Sequence, residues 1–141
     1  MINTKENDIN IRFKLTALWT SVTLCYLYCD YFQLYAPEKV KGLMSGQNML
    51  DSPAKLLTAA VMMAVPACMV FLNLVLSDRL LKVLNIVFGS FFTLIMLLII
   101  PAILKPWYAF YVFYAVLEIV ITIFIVRMAW KWDINKLAKV N

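Results

Sequence analysis

The sequence predicts an all-α fold, a four-helix transmembrane bundle with up-down topology. Composition is the first reason. Of the 141 residues, 64% are hydrophobic and 15% charged, with a mean hydropathy of +0.82. A soluble domain is about half apolar and about a quarter charged. The second reason is length: four apolar runs of ~22–26 residues each suffice for a tilted crossing of a hydrocarbon core of about 30 Å. The third is pattern. The runs are continuous and lack period-two alternation, which favours helices over barrel strands.

The first run covers residues 13–36 and stops before Pro37. The second covers residues 53–76, with Ser52 as cap and Pro53 in the first turn. The third covers residues 79–104, behind a tight turn at Ser77 and Asp78. Lys105-Pro106 separates it from the fourth, residues 107–130. Short connections make runs two, three and four antiparallel neighbours in series. Between the first two runs lies the only long loop, from Pro37 to Ser52, where Gly42, Gly46 and Asn48 argue against a long helix; a plain solvated loop is the expectation, and a short interfacial turn lined on one side by Val40, Leu43 and Met44 is the alternative. No second domain has room, so residues 1–141 read as one membrane domain. No early hydrophobic signal precedes Asn10, so the first run is expected to be an uncleaved anchor.

Four spans place both ends of the chain on one side. That side carries Lys5, Arg12, Lys14, Arg79, Lys82, Arg127, Lys131, Lys136 and Lys139; the other carries Lys39, Lys41, Lys55 and Lys105. The richer side is expected to be cytoplasmic. Trp130 and Trp132 suit the inner interface, and Tyr31, Tyr35, Trp107 and Tyr108 the outer one. The net charge of +5 is spread over helix ends and forms no nucleic-acid stripe. Membrane lipid is the expected partner of those basic groups.

Three cysteines (Cys25, Cys29, Cys68) lie inside apolar runs and read as small packing residues. With no histidine, no Cys-x-x-Cys, no glycine-rich phosphate loop and no metal-ligand spacing, the sequence offers no catalytic constellation, metal site or cofactor motif. The expectation is a protein that is not an enzyme.

Polar residues inside the runs carry the remaining information. Glu118 is near the middle of the fourth run, where a charge costs about 2.5–3.5 kcal/mol on insertion scales. It must face protein. Tyr111, Tyr114, Glu118, Thr122 and Ile125 share one helical face. In the first run Thr16, Trp19, Thr23, Tyr26 and Asp30 share another, and Asp30 is expected to turn inward. Should the two faces meet, Asp30, Tyr26, Tyr111, Tyr114 and Glu118 form a ligand site in the outer half of the bundle. Asn73, Asn85 and Thr23 read as hydrogen-bonding glue between helices. Gly89, four residues from Asn85, permits close helix approach. Pro66, mid-run, frees a carbonyl and marks a kink or a packing adjustment. Arg127 lies near the inner headgroups as an anchor.

Several runs of residues resemble a known family. They are Leu15-Thr16-Ala17-Leu18-Trp19 with Tyr28-Cys29-Asp30, then Met62-Met63-Ala64-Val65-Pro66 with Met69-Val70-Phe71-Leu72. Arg79 with Asn85-Ile86 follows, and Ala129-Trp130-Lys131-Trp132 closes the set. Their order resembles the bacterial membrane family known as domain of unknown function 6326. The resemblance implies four helices in a bacterial cytoplasmic (inner) membrane, with no established activity. It matches Asp30 to the family's acidic position in the first helix, and Pro66 and Asn85 to marks in the second and third. It carries no match for Glu118.

The leading functional expectation is small-ligand binding or proton-coupled transport through a cavity lined by buried carboxylates. The ligand would be small and amphipathic or cationic. The alternative is a structural or accessory membrane subunit, or a homo-oligomer, whose polar groups only set packing. A lipid- or quinone-modifying enzyme ranks third.

Overall fold

The computed structural model describes residues 4–134, with side chains from residue 11 onward. Of the basic residues counted for orientation, Lys5, Lys136 and Lys139 therefore lie outside the described side chains. The described residues form helices and turns, with no strand among them. In order they are α1 (Thr4–Gln33), α2 (Lys39–Met44), α3 (Pro53–Val75), α4 (Asp78–Ile99) and α5 (Ala109–Lys131). Two short 3₁₀ turns, Ile100–Ile103 and Pro106–Tyr108, join α4 to α5.

The helix boundaries follow local chemistry. Ser52 Oγ accepts from the Lys55 amide at 3.3 Å, and Pro53 opens α3 where a missing N–H costs nothing. α4 tightens into a 3₁₀ turn at Ile100 instead of running to residue 104, because Pro101 lacks the donor that another α-turn would need. After Ala36, which is buried, Glu38 takes a left-handed φ of 62° and turns the chain into α2. That short helix stands in place of the plain loop expected first, and it covers Val40, Leu43 and Met44, the residues of the alternative short turn. It buries none of its residues.

Three segments are long and apolar enough to cross a membrane: Pro53–Val75, Asp78–Ile103 and Pro106–Lys131. α1 is not among them. Its threonines, tyrosines and Asp30 dilute the apolar content that its length would otherwise supply.

The long helices neighbour one another in the order α3, α1, α5, α4. α4 packs along α5, and α1 lies against both α3 and α5. α3 and α4 touch only slightly, although they are joined by the tightest turn, so the expected series of sequential neighbours holds for α4 and α5 but not for α3 and α4. The reason lies in α1: its Leu15, Trp19 and Val22 are fully buried and join Met69 of α3 with Leu81 and Phe92 of α4 in one core.

One close approach helps to fix this arrangement. A Cβ on Gly89 would stand 2.7 Å from Val126 Cγ2, so only glycine lets α4 and α5 come this near. Pro66 lies inside a continuous α3 and is buried there. At one end of the molecule Arg12 binds the turn between α3 and α4. Its Nη2 donates to the Leu76 carbonyl at 2.8 Å and its Nη1 to the Asn73 carbonyl at 3.2 Å, while the guanidinium pairs with Asp78. A cation thus meets the carbonyl end of α3, and an anion the amide end of α4. Lys82 Nζ donates to the Trp132 carbonyl at 2.8 Å, which ties the end of α5 to the same region. Trp132 is buried in the core, whereas Trp130 is 71% exposed. The paired interface anchors of the sequence reading are therefore split, with Trp132 packed in the apolar core and Trp130 facing outward.

Candidate functional site

Two polar clusters occupy the interior, and they differ in one respect. The first is saturated. Trp19 Nε1 donates to Asn85 Oδ1 at 2.7 Å. Asn85 Nδ2 donates to Asn73 Oδ1 at 2.7 Å and to the Leu81 carbonyl at 2.8 Å, and Asn73 Nδ2 donates to the Met69 carbonyl at 2.7 Å. This chain of bonds links α1, α4 and α3. Asn73 and Asn85 thus occupy the positions of interhelical glue, and Trp19 joins them.

Thr23 does not. Its hydroxyl donates to the Trp19 carbonyl of its own helix at 2.9 Å. Thr16, one turn below Trp19, reaches the Val70 carbonyl of α3 at 3.2 Å. Thr93 of α4, not singled out in the sequence, meets Thr122 of α5 through hydroxyls 2.7 Å apart. Each hydroxyl has one proton, so one donates across the interface and the other to its own helix, at the Gly89 or the Glu118 carbonyl.

The second cluster surrounds Glu118. The face of α5 has the register its spacing implies: Glu118, Thr122 and Ile125 are buried, and Tyr111 and Tyr114 half-buried. Glu118 is only 2% exposed. From α1, Tyr26 presents its hydroxyl to the carboxyl, and Cys25 and Cys29 lie close enough to feel its charge. Tyr111 lies within electrostatic reach on α5 itself. Phe92 of α4 packs on Tyr26 with ring centroids 5.9 Å apart. Yet Tyr26 Oη and Glu118 Oε2 are both buried without a hydrogen-bond partner at a bonding distance and angle. A buried polar atom left in that state costs about 1–3 kcal/mol.

Asp30 departs from expectation. It is exposed on α1 and does not turn into the bundle, because the helix phase that buries Trp19, Cys25 and Cys29 carries residue 30 to the rim. Its charge still reaches Glu118 and Tyr111, and Lys39 of α2 acts on it in turn without forming an ion pair. Tyr114 stacks on Phe32 with ring centroids 6.3 Å apart. The helices therefore bring Glu118, Tyr26 and Tyr111 together, place Asp30 at the edge, and set Tyr114 in an aromatic flank.

Four surface grooves among the described residues lie away from Glu118. The three cysteines are free, and no group of metal-ligating side chains forms among the described residues.

Fold and site together define an all-helical protein with several helices apolar enough to span a membrane and a buried carboxyl between α1, α4 and α5. The chain belongs to the family of unknown function DUF6326, whose model matches residues 2–139. That agrees with the resemblance drawn from its sequence. No curated protein and no solved structure matches it.

Proposed function

We propose that the chain is a multi-pass protein of four spans, both ends on the cytoplasmic side of a bacterial inner membrane, and that Glu118 is its working group: it holds a proton or exchanges it for a small cation. α1 serves as the fourth span because its partners shield its polar face. Trp19 is buried, Thr16 bonds to α3, and Tyr26 turns toward α5. Large apolar side chains such as Leu57, Leu98 and Phe113 are about two-thirds exposed on three different helices, as lipid-facing positions require. Arg12, Arg79, Lys82, Arg127 and Lys131 gather at the end where α3 meets α4 and α5 finishes, which is the distribution expected of a cytoplasmic face.

One observation carries the functional reading. Tyr26 Oη faces the buried Glu118 carboxyl, and neither Tyr26 Oη nor Glu118 Oε2 reaches good bonding geometry with any described group, while the neighbouring amide cluster is bonded throughout. A group kept only for packing would be bonded as Asn85 is. A carboxyl beside tyrosine and phenylalanine rings suits a proton, or a cation held by charge and ring faces together. A closed site favours a small occupant over a bulky one. Asp30, at the rim, would attract such a cation before it reaches Glu118. This is a binding or carrier role with no catalytic step.

The test is proton release from purified protein in lightly buffered detergent on addition of tetramethylammonium, a cation small enough for a closed site. Wild type should release protons in step with cation binding, and Glu118→Gln should release none. Equal behaviour of the two proteins would overturn the reading. It would favour the rival, an accessory subunit or homo-oligomer whose polar groups set helix packing, for which the saturated Trp19–Asn85–Asn73 chain is the supporting observation.

A further inference from the structure

A groove of about 420 Å³ runs between α4 and α5 on the outer surface of the molecule. Along its length it is apolar, walled by Leu94 and Leu97 of α4 and by Ile123 and Val126 of α5. At one end it is not: Arg127 and Lys131 stand there, one helical turn apart, beside Trp130. The neighbouring hollow past Lys131 adds Arg79 and Lys82. Lys82 is engaged by the Trp132 carbonyl, but Arg79, Arg127 and Lys131 make no hydrogen bond or ion pair with a described residue.

We propose that this groove is a binding site for an anionic phospholipid. The acyl chain lies along the apolar wall, and the headgroup phosphate sits between Arg127 and Lys131. Two features of the groove select this occupant. The end-on basic pair supplies charge complementary to a phosphate. The wall from Leu97 and Ile123 to Lys131 rises about 12 Å along α5, a length of hydrocarbon that a free phosphate ion would leave unused. Trp130 stands at the depth where the apolar chain gives way to the polar headgroup, the usual place for an interfacial tryptophan. Gly89 and the Thr93–Thr122 contact hold the two walls together at mid-length, so the groove is preformed.

The inference rests on reading α4 and α5 as spans, but not on the role of Glu118. The protein, extracted in a mild detergent, would be examined by native mass spectrometry with phosphatidylglycerol or phosphatidylcholine added in equal amounts. Wild type should retain phosphatidylglycerol preferentially. Arg127→Gln with Lys131→Gln should lose that preference by about tenfold or more. Leu94→Trp, which fills the wall and leaves the charges, should weaken retention as well, and Glu118→Gln should not change it. Circular dichroism identifies any variant that has not folded, and a folded wild type with no preference for the anionic lipid overturns the proposal by itself. Displacement of the lipid by inorganic phosphate at comparable concentration would also overturn it, since the acyl wall would then contribute nothing. Release of the protein from vesicles by alkaline carbonate would sink the spanning reading and this proposal together; a carbonate-resistant protein without lipid preference sinks only the latter.

Discussion

Asn85 Nδ2 donates to Asn73 Oδ1 at 2.7 Å, and neither residue is accessible from outside. This bond joins α3 and α4 where they otherwise touch little, and the same Asn85 receives the Trp19 indole from α1. Replacing Asn85 with leucine leaves Trp19 Nε1 without an acceptor and Asn73 Oδ1 without a donor. We expect a loss of about 1–3 kcal/mol in reversible unfolding by sodium dodecyl sulfate, more than the average membrane hydrogen bond contributes. Asn73→Leu combined with Asn85→Leu should cost less than the two single changes added, because the partners disappear together.

Arg12 offers a comparison within one contact set. Arg12→Gln removes the charge opposite Asp78 and weakens the bonds to the Asn73 and Leu76 carbonyls. Asp78→Asn keeps those carbonyl bonds. The arginine variant should therefore lower the thermal midpoint further than the asparagine variant, by a margin equivalent to about 1 kcal/mol. Equal effects would mean that the ion pair alone matters and that capping of α3 does not.

Close approach at Gly89 can be tested by compensation. Gly89→Ala introduces a Cβ against Val126 Cγ2 and should destabilise by about 1–2 kcal/mol. Val126→Ala in the same protein should restore most of that loss. Failure of the rescue, read in the same unfolding assay, would show that α4 and α5 separate elsewhere.

Much of this arrangement was readable beforehand, and the reasons differ by residue. Ser52-Pro53 and Lys105-Pro106 act within a few residues of themselves, so the start of α3 and the break before α5 could be read locally. Glu118 and the inward face of α5 follow from helical spacing and the cost of a carboxyl in hydrocarbon. Asp30 does not follow in that way. Its spacing from Tyr26 puts it near the same stripe, but the stripe drifts around a straight helix and reaches the rim by residue 30. Arg12, Thr93 and the burial of Trp132 depend on partners more than 25 residues away in the chain, and local pattern carries no record of such pairs.

Glu118 should reveal a conflict between stability and role. Its Oε2 atom and the Tyr26 hydroxyl that faces it are poorly satisfied, so Glu118→Leu combined with Tyr26→Phe removes both buried polar groups together and should stabilise the fold by about 1–2 kcal/mol. The same variant should lose proton release on cation addition. A destabilised double variant would indicate that the carboxyl is needed for packing, contrary to the function proposed for it. Tyr26→Phe alone should be milder in both measurements, since the ring contact with Phe92 survives.

α1 is the least apolar of the long helices, and it leaves the ribosome before any helix it leans on. Until α3 and α5 have been synthesised, its indole and hydroxyl groups have no neighbours to answer them. If α1 is the fourth span proposed above, its commitment to the bilayer waits for later segments of the same chain. Translation stalled before Pro53 would leave a nascent polypeptide that surveillance proteases can recognise by that unanswered stripe.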